Sequence, residues 1–276
     1  MSKIENAQEK AARVHELEHE VLSSAESSGE AVESGLPLLV PQNRLIVTLT
    51  EPGSPAAEEY RKLKAMIIKL TQQDARKNVI MVTSSNSGEG KSLTAINLAI
   101  SLAQEVSHSA LLIDADLRRP SLAEYLGITA DTGLAECLRD GVNVSSAIIG
   151  TGVPKLDILP AGRSVSNPVE LLSSPKMKSL LLELKRHYPE RYIIIDTPPI
   201  LPFAETHIIS MLVDGVLFVV KEGETTVQDL QDSLDILKGT TVLGISFNDV
   251  DVSAQGMNNR YRHYYQYYAA RQRRQA

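Results

Sequence analysis

Cysteine is almost absent: Cys137 is the only one in 276 residues. One thiol cannot close an internal disulfide, and it cannot assemble a thiolate metal or iron–sulfur site within a single subunit. A reducing, cytosolic compartment is the expectation. No apolar run reaches the length that crosses a bilayer; the longest candidate, residues 207–220, is interrupted by Asp214. The N-terminus opens on charged residues without the apolar core of a secretory signal. Any membrane role is therefore expected to be peripheral or to run through a partner. Positive charge is also short, with 28 Lys and Arg against 34 Asp and Glu and a net charge of −6. Five arginines and no acid fall between Arg260 and Ala276, so the rest of the chain is more acidic still. That balance argues against a nucleic-acid partner, which needs a broad basic face.

What is present is ordinary globular material, 43% hydrophobic and 22% charged, enough for one sizeable domain with tails. Residues 1–40 form a polar N-terminal segment. Ile4, Ala7, Ala11, Val14 and Leu17 recur at helical steps there, a thin stripe suited to a marginal or partner-docking helix. Residues 41–250 carry the domain. Short β-branched runs at 77–83, 110–116, 192–197, 215–220 and 241–248 alternate with helical stretches at 56–70, 91–105, 121–126, 133–138, 168–187, 204–212 and 226–238. The runs are apolar on both faces, which predicts a doubly wound α/β fold with a mostly parallel sheet between helices. Residues 251–276 form a Tyr- and Arg-rich tail holding five of the nine tyrosines, Tyr261, Tyr264, Tyr265, Tyr267 and Tyr268. Its pattern has no core period. Taken alone it reads equally as an idle basic terminus or as something to be bound or modified.

Three motifs narrow the chemistry. SNSGEGKS, residues 85–92, follows a strand and opens a helix with the spacing of a phosphate-binding loop, Ser85 standing where the first glycine is usual. Ser87, Gly88, Glu89, Gly90, Lys91, Ser92 and Leu93 are the candidate nucleotide-binding set. The glycines let successive backbone N–H groups face phosphate oxygens, Lys91 supplies a compact charge, and Ser92 a hydroxyl for Mg²⁺. A chance Gly-rich turn is the alternative, and the strand–loop–helix setting speaks against it. LLIDADLRRP, residues 111–120, ends a strand in Asp114 and Asp116, and YIIIDTPP, residues 192–199, ends another in Asp196. Ligands of open α/β sheets sit at the carboxyl ends of strands, so the three aspartates should meet near the phosphates. Asp114 and Asp196 suit Mg²⁺ and its waters. Asp116, pointing the same way as Asp114 if the strand persists, is placed to take a proton from an incoming hydroxyl. Singly, each aspartate is better explained as a strand-end turn residue; three phosphate-site motifs in sensible order outweigh that reading.

The three motifs together resemble the Walker A, A′ and B set of the bacterial tyrosine kinases, exopolysaccharide-locus autokinases with a P-loop ATPase fold. The similarity runs from about Ser54 to Asp251 and includes LPAGRSVSNPVELLSSPKMKSLLLEL, residues 159–184, and the terminal tyrosine cluster. The opening MSKIENAQEKAA is similar to the subgroup tied to exosortase-type polysaccharide loci. The resemblance implies ATP and Mg²⁺ as cofactors, with Lys91, Asp114, Asp116 and Asp196 in catalysis and Ser92, Asp114 and Asp196 at the metal. It makes Tyr261, Tyr264, Tyr265, Tyr267 and Tyr268 the phosphate acceptors, reached in trans within a homo-oligomer, and Asn248 the amide that reads adenine. It implies three further features: a membrane activator of the polysaccharide co-polymerase type, a protein-tyrosine phosphatase acting on the product, and a cytoplasmic location peripheral to the inner membrane.

The sequence departs from the family in places. The subunit-packing motif Glu-x-x-Arg-x-x-Arg is matched by Glu58 and Arg61, with Lys64 in the third position, which loses the planar bidentate fork. Glu205 stands where relatives often carry Asp and receives no role. Two other classes are weighed. A partitioning or septum-positioning ATPase would need a second lysine early in the loop, where this chain has Asn86. A nonenzymatic ATP-binding regulator would not need the aspartates.

Overall fold

The computed structural model describes residues 43–72, 77–187 and 190–250. The N-terminal segment and the tyrosine tail lie outside the described residues. Helix α1, Val47–Thr50, precedes α2, Pro55–Thr71. The latter starts where Ser54 Oγ accepts the Ala57 N–H, with Pro55 in the first turn, where its missing N–H costs nothing. Strand β1, Val79–Ser84, runs into the loop and then α3, Lys91–Ala103; β2, Ser109–Asp114, follows. Short helices α4, Leu122–Leu126, α5, Leu134–Asp140, and α6, Val144–Ala147, lead to β3, Ile149–Gly150, and β4, Leu156–Leu159. Helices α7, Pro168–Leu172, and α8, Pro175–His187, precede β5, Arg191–Asp196. The chain then forms α9, Ala204–Ser210, β6, Gly215–Lys221, α10, Val227–Ile236, and β7, Val242–Asn248.

The seven strands form one sheet in the order β3-β4-β2-β5-β1-β6-β7, parallel throughout except for the β3–β4 pair. Side chains alternate across a strand, and here each face meets its own helices. Ile80, Val82, Leu112, Ile194, Leu217 and Val219 pack with Ile67 of α2 and with Ile96, Ile100 and Leu102 of α3. Val79, Met81, Leu111, Ile113, Ile193, Ile195 and Phe218 pack with Leu134, Met177, Leu181, Leu184 and Ile209 on the opposite side. Central strand β1 is buried at all six positions, as a strand covered on both faces must be.

Three expectations need correction. The helix expected over 168–187 is broken before Pro175, because proline lacks an N–H and pushes Ser174 out of helical geometry. β7 is not covered on both sides: it is an edge strand, with Phe247 65% exposed. The strand carrying Asp114 stops there rather than running on to Asp116.

Candidate functional site

The loop joining β1 to α3 is tied down from several directions. The Ser84 hydroxyl donates to the Asn86 carbonyl at 2.8 Å, and the Asn86 N–H donates to Glu89 Oε2 at 2.9 Å. Thr225, in the turn after β6, donates its hydroxyl to Glu89 Oε1 at 2.5 Å. Asn248, the last residue of β7, donates its amide to the Glu89 carbonyl at 3.0 Å. Glu89 is accordingly buried, while Asn86, Ser87 and Gly88 are exposed. Ser85 is fully buried and accepts from the Ser233 hydroxyl of α10 at 2.9 Å. A hydroxyl thus occupies the usual glycine position by finding a partner. Gly88 and Gly90 have φ of 85° and 89°, the left-handed region that glycine enters without steric cost. At Gly90 the need is doubled, since a Cβ there would lie 1.9 Å from Asn248 Nδ2.

Parallel pairing sets Asp114 opposite Asp196 at the carboxyl ends of β2 and β5. Asp116 reaches the same cluster by a turn. Its N–H donates to Asp114 Oδ1 at 3.2 Å, and its own Oδ2 lies 3.1 Å from Lys91 Nζ. Lys91 Nζ also stands 3.8 Å from Asp196 Oδ2 and donates to Ser92 Oγ at 3.2 Å. The Ser92 hydroxyl donates to Asp196 Oδ2 at 2.6 Å. The structure therefore joins Lys91, Ser92, Asp114, Asp116 and Asp196 in one cluster, all five buried or nearly so.

Burial raises the cost of ionising Asp114 and Asp196, and neighbouring carboxyls add to it. Burial, then the charge of Asp196, pushes Asp114 up to about 8, against the pull of the Leu122 and Ser121 N–H groups. Burial pushes Asp196 up to about 6, opposed by Lys91 and the Ser92 hydroxyl. Burial works against the Lys91 charge as well, but Asp196 and Asp116 outweigh it and hold the ammonium above its ordinary value. Among the described residues no three His, Cys, Asp or Glu side chains form a ready metal cage. The donors fit a different kind of site. Asp196 Oδ1 is buried without a partner, and a hard cation sharing oxygens from Ser92 and Asp196 with waters and phosphates is the way Mg²⁺ is usually held.

Asn248 reaches the loop, within the site region, through its amide. Glu58 and Arg61 pair with each other along α2, Arg61 Nε donating to Glu58 Oε2 at 2.7 Å, and Lys64 pairs with Glu105 at the end of α3. All three thus have partners within the chain. Sequence reasoning missed the side chains of Ser233 and Thr225, which brace the loop, and the pairing of Glu205 with Arg118 at 2.5 Å. For Glu205 a signal existed, an acid nine residues beyond Asp196 at the start of a helix. For Ser233 and Thr225, ordinary helix and turn residues, there was none.

Residues 77–241 match the family model described as an AAA domain. The chain is 37% identical over 182 residues to the tyrosine-protein kinase YwqD of Bacillus subtilis, a match covering 66% of this chain and 75% of that protein. It is 32% identical over 263 residues to the succinoglycan biosynthesis transport protein ExoP of Rhizobium meliloti, covering 91% of this chain but 32% of that protein. Among solved structures, the kinase domain of the Escherichia coli tyrosine kinase ETK superposes with a TM-score of 0.71 at 27% identity, covering 77% of this chain and 83% of that one. The septum site-determining protein MinD of Pyrococcus horikoshii superposes at 0.52 with 22% identity, covering 62% and 68%, and shares the fold. No helix among the described residues is long and apolar enough to cross a membrane.

Proposed function

The chain belongs to the bacterial tyrosine-protein kinases, and on that premise we propose that it transfers the γ-phosphoryl group of ATP to the tyrosines of its own tail, in trans. The observation that carries this reading is the cluster in which Lys91 and Ser92, at the start of α3, are bonded to two carboxyls, Asp116 in the turn after β2 and Asp196 at the end of β5. A switch of partners at that cluster supports the step. Lys91 pairs with Asp116 and Asp196. Phosphate oxygens arriving over the Gly88–Gly90 amides compete for it. Asp116 Oδ2 is then released to accept the phenol proton of Tyr261, Tyr264, Tyr265, Tyr267 or Tyr268, whose ordinary pKa near 10 leaves it a weak nucleophile. Ser92 and Asp196 would hold Mg²⁺, with Asp114 toward its water shell; bound there, the ion supplies neutralisation of phosphate charge. Most of the remaining work is positioning by the braced loop. In this reading Asn248 borders the adenine, and Glu58 and Arg61 on α2 contribute to subunit contacts.

The wider setting is inferred from relatives. One of them is named for succinoglycan biosynthesis and transport, which supports a role in exopolysaccharide synthesis or export. In this reading a membrane co-polymerase activates the kinase and keeps it at the inner membrane, and a phosphatase resets the tail. Residues 41–250 serve as the catalytic domain and 251–276 as its substrate. The test is incubation of the full chain with labelled ATP and Mg²⁺, with and without co-expressed co-polymerase, followed by mapping of the label. Phosphotyrosine at residues 261–268, lost in Lys91→Met, is the expected result. ATP hydrolysis without protein labelling in both conditions would sink the kinase reading. Full labelling without the co-polymerase would remove the activator from it.

A further inference from the structure

Arg118 has no part in the chemistry described so far, yet it is held with care. It lies two residues beyond Asp116 and reaches across to the first turn of α9, where its Nε donates to Glu205 Oε1 at 2.5 Å. Its guanidinium carbon stands 4.8 Å from the centroid of the Phe203 ring. Among the described residues the guanidinium is bonded only through Nε, and its side chain is 36% exposed. Glu205 is fully buried, and its Oε2 has no partner among the described residues.

Stability is a poor explanation for this arrangement. Burying a carboxylate is costly, an ion pair in the interior seldom repays it, and half of this carboxylate is left unsatisfied. The geometry suits a different purpose. Holding an arginine by Nε and over a ring restrains the fork and, among the described residues, leaves both terminal nitrogens without a partner. Those are the groups that bind phosphoryl oxygens in charge-assisted pairs. The location fits as well. Arg118 follows β2 and Glu205 follows β5, the adjacent strands whose carboxyl ends carry Asp114 and Asp196. Three carboxyls converge there with Lys91, and a transferring phosphoryl group needs positive charge at its equatorial oxygens. An arginine supplied within the same chain is one general solution.

We propose that Arg118 is a catalytic residue that contacts the transferring phosphoryl group, and that Glu205 and Phe203 are its positioning residues. The proposal rests on the kinase reading above. It requires the terminal nitrogens of Arg118 to bind more strongly in the transition state than in the ground state. The test therefore compares the affinity of a fluorescent ADP analogue with Mg²⁺, with and without aluminium fluoride, which mimics the phosphoryl group in transfer.

In the parent chain fluoride should tighten binding by about tenfold or more. Arg118→Ala and Arg118→Lys should keep the affinity for Mg²⁺–ADP within about twofold and lose most of the tightening. Glu205→Gln should lose part of it, Glu205→Asp should restore it, and Arg118→Ala with Glu205→Gln should be no worse than Arg118→Ala alone. Melting temperatures of all variants separate folding loss from this effect. Equal tightening in the parent and the Arg118 variants, or no tightening in any of them, overturns the proposal. A fluoride-dependent complex that forms in the parent chain and depends on Arg118, while the same chain labels no tyrosine with or without the co-polymerase, leaves Arg118 in place and removes the kinase reading instead.

Discussion

At the scale of single residues, the site is a balance of carboxyls that resist ionising together. Burial, before any other cause, pushes Asp114 up to about 8 and Asp196 up to about 6. Both values lie above the ordinary carboxylate range, so the folded chain keeps protons that the unfolded chain has already lost. The nucleotide-free protein should therefore lose stability as pH rises through the window from about 4 to about 8. A bound cation reverses the preference, because it favours the ionised carboxylates. Binding of Mg²⁺–ADP should release protons, and its affinity should climb between pH 6 and 8. Calorimetry in two buffers of different ionisation enthalpy measures the release, which Asp196→Asn should diminish. An affinity flat across that range, with no protons released, contradicts the account.

At the scale of elements, the strand–loop–helix unit explains why two glycines of one loop are not equivalent. Each sits at positive φ, and any L-residue there costs about 1–2 kcal/mol. A Cβ at Gly88 meets open space, whereas at Gly90 it strikes the Asn248 amide. Gly88→Ala should therefore lower the melting temperature modestly, and Gly90→Ala more, with a loss of ADP affinity besides. Asn248→Ala should recover part of the Gly90→Ala loss. Equal effects of the two glycine substitutions would refute the Asn248 contact. This unit was legible in the sequence, because glycine spacing and an apolar run carry its geometry locally. The break before Pro175 was signalled by proline and overridden by the apolar period on either side. Strands β3 and β4 were not legible: Ile149–Gly150 and Leu156–Leu159 are too short for a period, and pairing alone defines them. Asp116 joins the cluster by a route that the sequence does not signal. The reading extended the strand, while the chain turns and delivers the carboxyl by a hydrogen bond to Asp114.

At the scale of the whole molecule, an acidic chain carries a tail with five arginines and five tyrosines. Attraction should bring that tail to the carboxylate site of a neighbouring copy. Each phosphate then adds about −1.5 to −2 of charge, so a few of them cancel the arginines and favour release. The braces on the loop were invisible in the sequence for a reason of the same scale. Ser233 and Thr225 reach it across 148 and 136 residues of chain, and nothing local marks a hydroxyl as a long-range partner.

The central claim is transfer to the tail of another copy, and mixing two crippled chains tests it most directly. One carries Lys91→Met with its tyrosines intact. The other keeps Lys91 and has Tyr261, Tyr264, Tyr265, Tyr267 and Tyr268 replaced by phenylalanine. With ATP, Mg²⁺ and the co-polymerase present, phosphotyrosine should appear on the tail of the Lys91→Met chain. If that tail stays unlabelled while the parent chain labels itself under the same conditions, transfer in trans is contradicted.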